Sequence, residues 1–377
     1  KYFSPRGGAQ TFLFHLARSL VDDGHTVRVL ALEAEKDIPG VEVSLLDPPT
    51  WPKFLRDYFY ARASRDALRE DDADVTFGEQ KSWGADVIRP GGGVHKEYIR
   101  QTLKSYPTLP QRLFGSLRRP YRLKEVLNHH IEKKIYGDPP LKCVIANSRM
   151  VRRHMLKHYP HLEGRIEVIY NGTDCERFHP GLKEQYRASV REELDIPPEA
   201  VTAVFVSFDW RRKGLPTLIR ALGLLKQRST EKPFYGIVVG KGKIWRTKLY
   251  ARVHGALDRL RFVGPADDPA PYYGASDLLA LPTFFDPCAN VTCEALACGL
   301  PVISTDWNGA SELLTPGKDG YSVTDPADAE RVAELMSEFT DAGRLQEASK
   351  HARAGALEHT KNDMYRQIKD VLLHVAS

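Results

Sequence analysis

The chain has 377 residues, 42% of them apolar and 27% charged, with a net charge of +5. That length supports about two domains with cores of their own, and the composition is that of an ordinary globular protein. No apolar run approaches a membrane span, and the five cysteines form no C-x-x-C pair, which argues against a disulfide framework or zinc site and for a reducing cytoplasm.

The opening stretch, KYFSPRGGAQTFLFHLARSL, carries Gly7-Gly8 into residues 9–20, where Ala9, Phe12, Leu13, Leu16, Ala17 and Leu20 recur at helical spacing. A glycine pair entering a helix usually follows a strand, the arrangement that builds a phosphate site. Only six residues come first, with no strand among them, so the first strand of the N-terminal sheet is expected to precede Lys1. Asp23-Gly24 ends the helix and residues 26–32 read as a strand. Further short apolar runs stand at 143–147, 166–170, 201–208, 235–240, 277–282 and 301–305, with helical stretches such as 214–228, 244–256 and 290–298 between them. Most of these runs are continuous rather than alternating, as strands covered on both faces should be. The alternation predicts a doubly wound parallel α/β architecture. The pattern occurs twice and breaks near NGTDCERFHPG (171–181), giving two Rossmann-like domains, 1–175 and 176–359, with helix 360–377 packing back on the first.

Three stretches could carry chemistry. In FFDPCANVTCEALACGLPVISTDWNGASELL (284–314), Asp286 lies in a loop after a strand and Glu294 inside the following helix. Asn290 and Val291 fall at that helix's N-terminus, where free amides can hold a phosphate. A carboxylate one turn into such a helix can accept two ribose hydroxyls; the plainer reading is an N-cap acid and an exposed Glu. In FDWRRKGLPTLIRAL (208–222), Arg211, Arg212 and Lys213 stand between a strand end and a helix start, which suits a pyrophosphate as well as a solvated loop. In RPGGGVHKEY (89–98), three glycines admit close approach of a ligand and His95 begins a helix, although a lone loop His is usually not catalytic.

Together these stretches resemble the retaining, nucleotide-sugar-dependent glycosyltransferases of family four, which have the GT-B fold, two such domains facing across a cleft. Asp286…Glu294-Ala295…CGLPVIST is similar to the family's E-x7-E segment, NGASEL (308–313) to its GGxxE segment, YNGTDCERFHP (170–180) to its linker and RRKG (211–214) to its phosphate-binding turn. Asp286 replaces the usual Glu and Ala289 a common Gly. Within the family, the nearest likeness is to the lipopolysaccharide-core glucosyltransferase branch. The resemblance implies that Glu294 binds ribose hydroxyls, that Arg212 and Lys213 hold the diphosphate with the amides around Asn290 and Val291, and that Asp286 faces the transferred sugar. It also implies donor contacts from Gly309 and Glu312, a sugar contact from His95, and a lining role for Gly7 and Gly8. The donor would be a nucleotide-sugar, UDP-glucose through the nearer likeness. The acceptor would be a lipid-linked or phosphorylated saccharide such as lipopolysaccharide core. No D-x-D motif stands at a suitable strand end, consistent with the family's metal-independent habit, so neither metal nor cofactor is expected.

Between Lys96 and Lys157, fifteen Lys or Arg face four Asp or Glu. Ile99, Leu103, Tyr106, Leu109, Leu113, Phe114 and Leu117 interleave with the cations. Such a segment fits an anionic membrane surface and a peripheral enzyme on the cytoplasmic face, and equally a solvated basic face. No nucleic-acid recognition motif accompanies the charge. Three rivals stand beside this reading. One is a dinucleotide-dependent oxidoreductase, for which SPRGGAQT lacks the G-x-G-x-x-G spacing. The others are a nucleotide-sugar epimerase or phosphorylase of the same fold, and a non-catalytic sugar- or lipid-binding relative.

Overall fold

The computed structural model describes every residue except 1, 4–7, 36–37, 70–71, 80, 107, 118–120, 138–139 and 229. The chain divides into two compact units. The first comprises Lys1–Glu97, Leu113–Ile169 and Asn362–Ser377, the second Tyr98–Arg112 and Tyr170–Lys361.

In the second unit, six parallel strands form one sheet. Their order is Leu260–Gly264, Phe234–Val239, Val201–Val206, Leu278–Ala280, Val302–Thr305, Gly320–Val323. From Val201–Val206 the next two strands step outward on one side, and the three later ones step outward on the other. The winding therefore reverses between Val201–Val206 and Leu278–Ala280, the switch point beyond which ligands bind in open α/β sheets. Continuous apolar runs become strands here because helices cover both faces. Ala203, Val204, Phe205, Leu278, Leu279, Ala280, Val302 and Ile303 are all fully buried in one contiguous core.

The first unit has the same parallel habit in three separate ladders. Tyr2–Phe3 pairs with Glu33–Ala34, and Val27–Ala31 with Val41–Leu45. Phe77–Glu79, Val87–Arg89, Cys143–Ala146 and Ile166–Val168 pair in that order. The expectation that no strand precedes the glycines is corrected: Tyr2–Phe3 is a two-residue strand, anchored by the buried Phe3 in a cluster with Phe14 and Ala31. The helix predicted over 9–20 runs Gly8–Asp22 and lays Phe12 and Leu16 against Val87, Cys143 and Ile145. Met364, Tyr365, Ile368 and Leu372 of helix Lys361–Ala376 join that same core.

Candidate functional site: a switch-point constellation in the second unit

Beyond strand Val201–Val206 the chain makes one tight turn. Ser207 Oγ accepts the Asp209 amide at 2.8 Å, and Asp209 accepts the Arg212 amide at 3.3 Å and its Nε at 3.0 Å. Gly214 then takes a left-handed conformation at φ +84° and opens helix Leu215–Gln227. A Cβ at Gly214 would collide with the carbonyl of Pro282, so only glycine lets this turn lie against the loop after Leu278–Ala280.

The two loops are stitched together through Arg212. Its carbonyl accepts the Phe284 amide at 2.8 Å, and its Nη1 donates to the Phe285 carbonyl at 2.6 Å. Asp286 follows, with its amide donating to the Trp307 carbonyl at 2.7 Å and its carbonyl accepting the Gly309 amide at 2.9 Å. The Asp286 carboxylate forms an ion pair with Lys213 and lies 3.9 Å from Arg212 Nη1. Burial, and then the neighbouring Arg212 charge, push the Lys213 ammonium well below the usual lysine range. The nearby Asp209 carboxylate opposes that loss of charge. Three residues read from two separate stretches thus meet at the switch point.

Helix Asn290–Ala297 starts four residues after Asp286. Its N-cap, Ala289, offers no side-chain acceptor, so the first-turn amides keep no cap of that kind. The turn is held instead by Asn308, which is buried. Its Oδ1 accepts the amides of Ala289 at 3.2 Å and Ala310 at 3.1 Å, and its Nδ2 donates to Thr292 and Ser304. One turn in, Glu294 accepts the Tyr273 hydroxyl at 2.7 Å. Burial raises its pKa, and the phenol hydrogen bond opposes the rise. Asn290 Oδ1 accepts from Asn171 at 2.7 Å, and Glu312 accepts the Tyr170 hydroxyl at 2.9 Å.

Residues 98–112 also belong to this unit, and their aromatic rings take up its cations. Arg211 stacks over Tyr106 at 3.7 Å, Arg212 lies 5.8 Å from the Tyr98 ring centre, and Lys104 lies 5.1 Å from that of Trp307. Tyr98 meets Phe285 edge-on at 6.1 Å.

The structure therefore gathers Arg212, Lys213, Asp286 and Gly309 directly and sets Asn290, Val291 and Glu294 on the adjoining helix, with Glu312 hydrogen-bonded to Tyr170. His95 belongs to the first unit. It opens helix His95–Lys104, its amide donates to Glu132 at 3.0 Å, and burial beside Lys81 lowers its pKa to about 4. Gly8 opens the first helix, and Gly7 lies outside the described residues. Sequence reasoning missed Tyr273, Asn308 and the rings of Tyr98 and Tyr106. Only Asn308 left a signal, an N-cap residue type immediately before a glycine.

A parallel sheet with this strand order and an anion-suited constellation at its switch point defines a nucleotide-binding unit of the Rossmann kind. Residues 6–177 match the family described as Glycosyltransferase Family 4, and residues 200–342 that described as Glycosyl transferases group 1. The chain belongs to the family-four glycosyltransferases of GT-B fold. A D-inositol 3-phosphate glycosyltransferase of Jonesia denitrificans is 29% identical over 59% of this chain and 55% of its own length, so the match spans about half of that relative. The lipopolysaccharide glucosyltransferase WaaG of Escherichia coli K12 is 24% identical over 89% of this chain and 86% of its own length. A crystal structure of WaaG, described as a glycosyltransferase involved in lipopolysaccharide biosynthesis, shares the fold with a TM-score of 0.77. It is 22% identical, covering 98% of this chain and 97% of that one.

Proposed function

We propose that the protein transfers a hexose, with retention of configuration, from a nucleotide-sugar to a lipid-linked or phosphorylated saccharide. The reading favours UDP-glucose as donor and a lipopolysaccharide core as acceptor, in keeping with the glucosyltransferase relative. The observation that carries it is the Arg212–Lys213–Asp286 constellation beside an N-terminus without a side-chain cap.

The departing nucleoside diphosphate gains negative charge as the sugar becomes oxocarbenium-like. Arg212, Lys213 and the amides of Asn290 and Val291, at the positive end of their helix, would meet that charge in a preorganised site. Glu294, already a hydrogen-bond acceptor, would take the two ribose hydroxyls. Lys213 pairs with Asp286; a diphosphate that draws Lys213 to itself would turn the Asp286 carboxylate toward the sugar. Gly309 and Glu312 would complete the donor contacts. No side chain is assigned as a nucleophile. The acceptor hydroxyl attacks from the face the phosphate leaves, and a phosphate oxygen takes its proton.

Leu109, Leu113, Leu123 and Val126 are exposed large apolar residues within the basic 96–157 segment. They support a peripheral position against an anionic membrane at the cytoplasmic face. No helix among the described residues is long and apolar enough to cross a membrane.

The test is release of UDP from UDP-glucose with and without a saccharide acceptor. Lys213→Ala and Glu294→Ala should each lower turnover by about a hundredfold or more. Near-native turnover in both variants would sink the site assignment.

A further inference from the structure

Helix Ile244–Val253, on the second unit, buries only Ala251. Its outward side is apolar: Trp245, Leu249 and Val253 are 65%, 54% and 74% exposed. Trp245, Leu249 and Val253 recur every fourth residue, so at about 100° per residue they form one stripe roughly 80° wide. The same spacing sets Arg246 along one border and Lys248 and Arg252 along the other. Lys241 and Lys243 precede the helix, and all five cations are exposed. No Asp or Glu occurs between Glu231 and Asp258.

The opposite side of this helix is already engaged. Ala251 is fully buried, the half-buried Tyr250 stacks on His254 at 4.4 Å, and Gly223 of helix Leu215–Gln227 lies against the His254 carbonyl. The apolar stripe is therefore an outer face of the second unit. An exposed Trp and two aliphatic side chains inside a collar of cations match the chemistry of an interfacial helix lying in a headgroup layer. Nucleic acid fits the collar but leaves Leu249 and Val253 without a role.

We propose that helix Ile244–Val253 is a docking surface for an anionic lipid bilayer. Trp245, Leu249 and Val253 enter the acyl boundary, and Lys241, Lys243, Arg246, Lys248 and Arg252 meet the headgroups. This surface is separate from the basic 96–157 segment and rests neither on that segment nor on the transfer reaction.

The experiment is co-sedimentation of the full chain with vesicles of phosphatidylglycerol and, separately, of phosphatidylcholine. Two double variants are compared with the native chain, Leu249→Ser with Val253→Ser and Lys248→Gln with Arg252→Gln. Because these side chains are exposed, melting and UDP-glucose turnover in vesicle-free buffer should stay native. Each pair should lower partition onto phosphatidylglycerol by about tenfold, and the native chain should partition weakly onto phosphatidylcholine. Native partition in both pairs, binding indifferent to lipid charge, or no vesicle binding by the native chain would overturn the proposal. So would intact partition in an apolar pair that instead abolishes self-association on size exclusion, which would make the stripe a contact between copies.

Discussion

In the second unit six parallel strands share one sheet, and its central strands are covered on both faces by one apolar core. Among the described residues of the first unit the strands fall into three ladders, and ionisable groups are buried within the unit. Arg89 and Glu79 pair at 3.3 Å, Glu97 sits under Lys157 and His158, and Glu132 accepts from the His95 amide and the Tyr159 hydroxyl. The second unit buries an ion pair too, Arg191 with Asp277 at 2.7 Å, but its strands share one continuous sheet, and Gly214 packs where no Cβ fits. Segments without a shared ladder need directional bonds, and buried carboxylates supply them at the cost of desolvation.

The sharpest way to break this contrast is Gly214→Ala. The new Cβ meets the Pro282 carbonyl, and the backbone stays in a left-handed conformation, so a loss of about 3 kcal/mol or more is expected. Native-state hydrogen exchange should show the loss in residues 201–227 while 143–168 keep their protection. Equal loss in both would mean that the units do not divide stability as described.

A smaller effect is expected from pH on the first unit. Burial raises Glu132 to about 7, above its unfolded value near 4.5. The folded state therefore holds an extra proton between those values, and the associated stability is fully present below about 4.5 and lost as pH rises through 7. Glu132→Gln keeps an acceptor for the His95 amide and should remove up to about 3 kcal/mol of that dependence. A melting curve of the variant that falls as steeply from pH 5 to 8 as the native one would refute this. Glu79, also raised to about 7 by burial against the pull of Arg89, should leave a residual slope.

The smallest expected change is in residues 98–112. Tyr106→Leu removes the ring under Arg211 and should cost about 1 kcal/mol, while Tyr106→Phe keeps it and should melt near the native temperature. Equal melting of the two variants would show that the stacking contributes nothing.

The same contrast explains what could be read in advance. Strands such as Val201–Val206 and Phe234–Val239 were legible because both faces are buried and the apolar run is unbroken. Val41–Leu45 was missed because it alternates, half-buried, with Glu42 and Ser44 between apolar residues. Val87–Arg89 hides a strand behind a buried arginine, and Leu260–Gly264 carries Arg261 in its second position. At the site, Arg212, Lys213 and Asp286 were legible singly, from strand-end placement. Their meeting was not, since it depends on the Gly214 turn lying against Pro282 and on Arg212 bonding to the Phe285 carbonyl. Tyr273 lies 21 residues from its partner Glu294, beyond any local pattern.

The Tyr273–Glu294 contact has a thermodynamic consequence. Burial raises the proton affinity of this carboxyl while the phenol helps to hold its charge. On the proposed reading, a sugar diol donating two further hydrogen bonds to Glu294 would favour the ionised form against that rise. Ligand capture would then be coupled to proton release into the medium. The heat observed by calorimetry would include the ionisation enthalpy of the buffer that accepts the proton, so apparent binding enthalpies would differ between phosphate and Tris with the intrinsic affinity unchanged.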